Sequence, residues 1–384
     1  MKNYENLLEM YHPFDIAVER AEGVYIYDRY GRRYLDSFSG IGVMSLGHCH
    51  PEVSAAFIDK ISRYAHLSNY FLDEDCIYVA DKLVSFSGKK GKVFFTNSGT
   101  EATEAALKAV KKISTACKNK IVFFKNGFHG RTLGALSVNG FENLTGQFMP
   151  LLGNTVCLNI NDCEDLDKYM LENAQNTAAM FVEPIQGSGG VLPLTREFAQ
   201  KIEKYHKECR FLLISDEVQA GLGRTGKIYS YQNYPLDPDI ITLAKSLGGG
   251  LPLGAAVFLE ESGNILKDPD HGSTFAPNPV ALAGARVITD KIPEVVEGVN
   301  EKSEYLKKKL EPLTCENIAE VRGMGLMLGA VMEKPVENLL KKGVDNFILL
   351  NLVRKSIIRL LPALNITFQQ IDEMAEKLLI VLKE

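Results

Sequence analysis

A lysine closes the apolar run Asp239-Ile240-Ile241-Thr242-Leu243-Ala244-Lys245 and is followed by Ser246-Leu247-Gly248-Gly249-Gly250. An amine half-buried at the end of such a run has its pKa lowered, which is the state an imine-forming nucleophile requires. The three glycines let backbone pass close to a ligand. Most lysines are plain surface charges, so this stretch alone makes Lys245 a candidate and no more. Leu212-Leu213-Ile214-Ser215-Asp216-Glu217-Val218-Gln219 sets two carboxylates at the end of another apolar run. A buried carboxylate is expensive unless a cation meets it, and a protonated pyridine nitrogen would meet Asp216. The plainer alternatives are a helix cap or internal salt bridge for Asp216 and a solvated side chain for Glu217.

Thr96-Asn97-Ser98-Gly99-Thr100-Glu101 follows a third run and opens a helix, whose first N–H groups and dipole favour an anion such as phosphate. An ordinary Ser or Thr cap would explain the same residues. The stretch is neither a Gly-x-Gly-x-x-Gly nor a Walker A sequence, so nucleotide binding gains nothing from it. Phe128-His129-Gly130-Arg131-Thr132 could stack an aromatic on a planar ring and grip a carboxylate with a guanidinium. Alone, Arg131 reads as a surface or structural arginine and His129 as a polar loop residue. His48-Cys49-His50 has no partner at ligand spacing, so no metal site is expected.

The elements that must position these residues are short apolar runs alternating with helical stretches. The runs are Val93-Phe94-Phe95, Ile121 to Phe124, Ala178 to Val182, Phe211 to Ile214, Ile240-Ile241 and Ala255 to Phe258. Between them lie candidate helices at Glu101 to Ile113 and Arg196 to Cys209. That alternation predicts an α/β domain with a mainly parallel sheet, and each polar cluster falls where a run ends, the usual place for a site. Before it, Val24 to Asp36 reads as a hairpin around Gly31, and Pro51 to Tyr64 as a helix with proline in its first turn. After about Pro279, helices at Val280 to Lys291 and Val295 to Leu310, strands at Val321 to Met332 and Phe347 to Leu361, and a closing helix suggest a smaller α+β lobe.

Composition narrows the class further. At 384 residues the chain exceeds one comfortable core and suggests two packed lobes. A net charge of -5 with interspersed bases shows no footprint for nucleic acid. Seven scattered cysteines (Cys49, Cys76, Cys117, Cys157, Cys163, Cys209, Cys315) with no Cys-x-x-Cys pair point to a reducing cytoplasm. The Met1 to Asp15 segment has no apolar signal region, and no run of about 18 apolar residues occurs, so neither secretion nor a membrane span is expected.

Taken in order, these motifs resemble the class III aminotransferases that depend on pyridoxal 5'-phosphate (PLP), and most closely the acetylornithine aminotransferase group. The similarity runs from Gly40-Ile41-Gly42-Val43 and Leu46-Gly47-His48-Cys49-His50-Pro51 to Arg359-Leu360-Leu361-Pro362. It implies the type I fold of PLP-dependent transferases: a large domain over residues 46–277 with a seven-stranded, mainly parallel sheet, and a small α+β domain from residues 1–45 with 278–384. It also implies that Gly99 and Thr100, with Ser98 adjoining, bind the cofactor phosphate. Phe128 and Val218 would pack on the two ring faces, Asp216 on the ring N1-H, and Gln219 near the ring hydroxyl, with Lys245 as the Schiff-base lysine. Arg131 would bind the substrate α-carboxylate. Glu183 and Arg359 would form a switch pair, the acid shielding the arginine from an ω-amino donor and releasing it for the second carboxylate of 2-oxoglutarate. Ser273 and Thr274 would reach the partner's site in a homodimer, Thr274 to phosphate.

The resemblance further implies ping-pong transfer from an amine donor to a 2-oxo acid. The chain departs from the group's pattern at Ser188, where Glu-Pro-Ile-Gln-Gly usually continues with glutamate, at Ala276-Pro277, and at Asn69-Tyr70-Phe71-Leu72. Acetylornithine or a related acylated ornithine or lysine is the expected donor. Ornithine, 4-aminobutyrate and lysine-type ω-amines stay open, as does a PLP-dependent racemase or aminomutase; a cofactor-free scaffold would leave Lys245 and Asp216 idle.

Overall fold

A computed structural model describes residues 6–315 and 317–383; the first residues of the Met1 to Asp15 segment and the side chain of Cys315 lie outside the described part. Its centre is a seven-stranded sheet formed by β1 (Gly91–Thr96), β2 (Lys120–Phe124), β3 (Thr155–Leu158), β4 (Thr177–Val182), β5 (Leu212–Asp216), β6 (Ile240–Leu243) and β7 (Gly254–Leu259). The spatial order is β1-β7-β6-β5-β4-β2-β3. Only β7 runs against its neighbours, pairing antiparallel with both β6 and β1. The inner strands have both faces covered, and β4 is buried at every position. This is why they read as continuous apolar runs rather than alternating ones.

Helix α1 (Gly99–Ile113) lies on the sheet through Ala102, Ala105, Ala106, Ala109 and Val110. Small side chains let it approach closely enough to aim its N-terminus at the strand ends. Strand β3 was not expected: it is a short edge strand of Thr155-Val156-Cys157-Leu158 with only Leu158 fully buried, so it carries no apolar run.

Beyond the sheet, Tyr25–Asp28 pairs with Arg33–Asp36 as the expected hairpin, and Pro51–Arg63 is helical with proline in its first turn. Helix α2 (Pro279–Glu297) continues through Pro293, where the sequence suggested a break, and ends instead at Gly298. The expected strand from Val321 to Met332 is a hairpin of Ile318–Met324 and Met327–Met332, turning where Gly325 takes φ 57°. Phe347 to Leu361 is divided into three short strands that serve two different sheets.

These segments share a second core, with Leu35, Leu46, Ile288, Leu306, Leu328, Ile358, Leu364 and Leu378 among its members. Arg224 reaches into this region from the loop after β5. Fully buried, it donates through Nη1 to the carbonyls of Leu326, at 3.1 Å, and Pro362. No helix among the described residues is long and apolar enough to cross a membrane.

Candidate active site

Five chain segments leave the same edge of the sheet: 97–100 after β1, 125–131 after β2, 183–188 after β4, 216–219 at the end of β5 and 244–245 after β6. Strand order brings them together around a cavity of about 450 Å³. Its lining includes Ser98, Gly99, Thr100, Phe128, His129, Arg131, Glu183, Ser188, Asp216, Val218, Gln219 and Lys245.

At one end, Ser98 caps α1 by accepting from the Glu101 N–H, and Glu101 reaches back to the Asn97 N–H at 2.6 Å. The first turn is thereby fixed with Gly99 and Thr100 on the cavity. A Cβ on Gly99 would lie 2.9 Å from the methyls of Val218, so glycine is what lets this turn close over the site. Thr100 Oγ1 accepts from the Arg131 N–H at 3.2 Å and meets Thr132 Oγ1 at 2.9 Å. Gly130, at φ 139°, could carry no Cβ there, since one would fall 2.2 Å from Thr100 Oγ1. Helix N-terminus and basic loop are locked together, an arrangement suited to an anion.

At the other end lies a network of buried charge. Asp216 is 5% exposed, accepting from His129 Nδ1 at 2.7 Å through one oxygen and from the Val218 N–H at 3.0 Å through the other. Burial acts to lower the pKa of His129, but the hydrogen bond and charge of Asp216 prevail and raise it. His129 is thus a member of the site that sequence alone left as a loop residue. Its partner is 87 positions away, and only the common destination of their two strand ends connects them.

Lys245 keeps some accessible surface because it lines the cavity, yet burial lowers its ammonium to about 8, helped by the Arg359 charge and opposed by Asp216 and Glu183. Its backbone takes φ 49°, a strained conformation for a side-chain-bearing residue of the kind that collects at functional sites. Glu217 is not solvated as one alternative had it. It is 2% exposed and accepts from the backbone N–H groups of Ser230 and Tyr231 at 2.7 and 2.9 Å, a structural cap for the short helix there.

Glu183 accepts from the Phe128 N–H at 2.9 Å and the Gly187 N–H at 3.3 Å. Burial first, then the Asp216 charge, push its carboxyl up to about 7 against His129 and these two donors. A folded-state value above the ordinary 4.5 stabilises the fold below pH 4.5, and that contribution is lost as pH rises through about 7. Glu183→Gln is therefore expected to flatten this part of the profile. Urea midpoints from pH 4.5 to 7.5 should fall more steeply for the wild type, and parallel curves would refute the assignment.

Arg359, 4% exposed, stands behind the lining. It donates through Nε to Asn351 Oδ1 at 2.8 Å and through Nη1 to Gln219 Oε1 at 3.0 Å. Glu183 and Arg359 form no ion pair among the described residues; each is engaged elsewhere. Arg131 is exposed, its guanidinium 5.5 Å from the centre of the Phe128 ring. Ser273 and Thr274 lie outside this cavity. Ser273 Oγ accepts from Asn97 Nδ2 at 3.3 Å, and Thr274 is exposed.

The donor set fits PLP: a helix N-terminus for phosphate, a buried carboxylate for a ring N–H, apolar groups on Phe128 and Val218 for a ring, and a desolvated lysine amine. Comparison with known proteins agrees. The sequence matches the family described as Aminotransferase class-III over residues 8–382. It is 39% identical to acetylornithine aminotransferase of Clostridium acetobutylicum, covering 96% of each chain, and 39% identical to that of Aquifex aeolicus over 95% of this chain and 96% of the relative. Among solved structures it is similar to N-acetylornithine aminotransferase from Stenotrophomonas maltophilia, with a TM-score of 0.82, 31% identity and coverage of 96% and 95%. It is also similar to ornithine aminotransferase from Toxoplasma gondii, with a TM-score of 0.91, 27% identity and coverage of 99% and 92%. The chain belongs to the class III aminotransferases, PLP-dependent enzymes of the α/β fold described above.

Proposed function

We propose that the protein moves an amino group from an ω-amino donor, N2-acetylornithine or a related acylated ornithine or lysine, to 2-oxoglutarate in two half-reactions at this one cavity. The observation that carries the acceptor is the pair of arginines: neither Arg131, on the cavity, nor Arg359, buried behind its lining, forms an ion pair among the described residues, which leaves two guanidiniums for a substrate with two carboxylates. The donor rests on the acetylornithine aminotransferases to which the chain is similar. Ornithine is the second reading, favoured by the close likeness to the Toxoplasma gondii structure.

PLP, when bound, supplies an electron sink for the bonds at the substrate's amine-bearing carbon. The chain's own residues supply the rest. Ser98, Gly99 and Thr100 present the start of α1 to the phosphate, while Phe128 and Val218 confine the ring. Asp216, oriented by His129 and the Val218 N–H, keeps a proton on the ring nitrogen. Gln219 gives its carbonyl to Arg359, leaving its amide N–H groups to face the ring hydroxyl. Lys245, its ammonium lowered to about 8 by burial, would be the group that takes a proton from the substrate's amine-bearing carbon and returns it. Arg131 would bind the α-carboxylate.

We also propose a homodimer with shared sites. Tyr70, Phe71, Leu72 and Phe275 are large apolar side chains left exposed, and Asn69 ties the first three to the Ser273–Thr274 loop by donating to the Ser273 carbonyl at 2.7 Å. A second copy covering them would receive Thr274 at its phosphate end. A solution mass equal to one 42.6 kDa chain would remove this arrangement. Residues 46–277 would form the cofactor-holding domain, with the two terminal segments, 1–45 and 278–384, forming the small one. A cytoplasmic setting is proposed on the six described cysteines, all of them free.

The deciding experiment supplies the PLP-loaded enzyme with acetylornithine, succinylornithine, ornithine, 4-aminobutyrate and lysine, each with 2-oxoglutarate, and measures glutamate formed. Acetylornithine should lead. Glutamate from none of them, with racemised or rearranged amino acid instead, would replace transfer by a racemase or aminomutase reaction.

A further inference from the structure

Glu104 is the sixth residue of α1, past the first turn in which an acid gains from the helix dipole, and two hydroxyls away from a turn suited to an anion. Neither circumstance favours a negative charge. Its bonds give it another task. Oε1 accepts from the Thr132 hydroxyl at 2.5 Å, a charge-assisted length, and from the Ala135 N–H at 3.1 Å. The loop is shaped around this acid, since a Cβ on Gly134 would fall 2.3 Å from Glu104 Oε2.

The direction of each proton in the cluster follows from Glu104. A carboxylate only accepts, and a hydroxyl has one proton and two lone pairs. Thr132 gives its proton to Glu104, so across the 2.9 Å contact between the two hydroxyls Thr100 is the donor. Thr100 Oγ1 in turn accepts from the Arg131 N–H at 3.2 Å and the Thr132 N–H at 3.4 Å. Its proton and both lone pairs are then committed to the loop. Ser98 differs: its Oγ accepts from the Glu101 N–H at 3.4 Å, which leaves its own proton available. The N–H groups of Gly99 and Thr100, in the first turn of α1, have no partner within the helix.

We infer that Glu104 is a positioning residue: through Thr132 and Thr100 it fixes the loop carrying Arg131 to the start of α1, and it commits the Thr100 hydroxyl to that loop rather than to the cofactor phosphate. Backbone N–H groups and Ser98 then meet the phosphate, while the side chain of Thr100 serves the substrate end of the site. One residue does two jobs with different atoms. The inference rests on the proposed carboxylate-binding role of Arg131 and adds what holds that arginine's loop in place.

The test measures two affinities for each variant. PLP is titrated into the cofactor-free protein and read from the visible absorbance of the bound form; glutarate, an unreactive dicarboxylate, is titrated calorimetrically into the PLP-loaded protein. Thr100→Val and Thr132→Val each remove a hydroxyl and keep the shape, with thermal midpoints confirming that the variants are folded. Each should weaken glutarate about tenfold, the loss of one such hydrogen bond, and change PLP affinity by less than about threefold. Thr132→Ser, which keeps the hydroxyl, should bind glutarate within about twofold of the wild type. Glu104→Ala should match Thr132→Val.

A Thr100 hydroxyl that binds phosphate predicts the reverse for Thr100→Val, with weaker PLP and unchanged glutarate. A cluster that only stiffens the fold predicts lower thermal midpoints with both affinities unchanged, or both weakened together. Either result overturns the inference, as does a Thr132→Ser variant no better than Thr132→Val. A wild type that binds glutarate no better than Arg131→Ala overturns it through Arg131. If Glu104→Ala does not fold, the threonine variants decide alone. Affinities that all behave as expected, with no glutamate formed from 2-oxoglutarate, would defeat the proposed reaction and leave the relay standing.

Discussion

Lys245→Ala is expected to lower kcat by about four orders of magnitude, from the combined loss of the nucleophilic amine and of the group that carries the proton. Several features of the structure make this a clean experiment. Lys245 stands at the end of β6 with its amine already pushed toward the neutral form by burial, so removing it takes a poorly solvated cation out of the interior. The cofactor-free variant should therefore melt at or above the wild-type temperature. Alanine also keeps the side chain small at a φ of 49°. The visible absorbance of protein-bound PLP should disappear after gel filtration of the variant and persist for the wild type. Activity above about a hundredth of wild type would show that another amine does the work, and a colourless wild type that takes up no PLP would sink the central assignment.

Asp216→Asn should follow, with kcat about a thousandfold lower, since an amide cannot hold a proton on a ring nitrogen as a carboxylate does. The asparagine can still accept from the Val218 N–H, but its amide group now faces His129 Nδ1 across the former 2.7 Å contact. The pKa of His129 should drop, because the partner that raised it has gone and only burial and the charge of Glu183 remain. A nuclear magnetic resonance titration of the imidazole reads this independently of turnover. The same raised value in the wild type gives stability that is complete below the ordinary 6.5 and disappears as pH climbs through the folded value, so the variant's stability should depend less on pH in that window. An unchanged His129 titration would mean that the pair is not electrostatically linked.

The sequence made the sheet legible because its five inner strands, covered on both faces, announce themselves as apolar runs, and because each polar cluster falls where a run ends. Lys245, Asp216, Phe128 and the Thr96–Glu101 stretch could be placed at one sheet edge on that ground alone. What could not be placed were contacts whose partners lie far apart and whose residue types are ordinary. His129 sits in the same motif as Phe128 and Arg131, but nothing local says that its ring is buried against Asp216. Asn351 belongs to a stretch that reads as one strand, and its bond to Arg359 comes from being a junction between two. Arg224 meets two carbonyls more than 100 positions away, a bond type with no sequence signal. The edge strand β3 escaped because three of its four residues are only partly covered or exposed.

The reversed strand β7 has a consequence for assembly. Strand β1, which delivers the start of α1 to the phosphate end of the cavity, is held in the sheet by pairing with β7, Thr96 against Gly254, across about 160 residues of chain. Contacts so distant in sequence form late and slowly. A chain emerging from the ribosome therefore makes its anion-binding turn early but cannot seat it until β7 follows, and Lys245 arrives only a few residues before that strand. The two ends of the cofactor's berth are thus completed almost together, near the close of the large sheet's synthesis, so a nascent chain shorter than about 260 residues has nowhere to hold PLP.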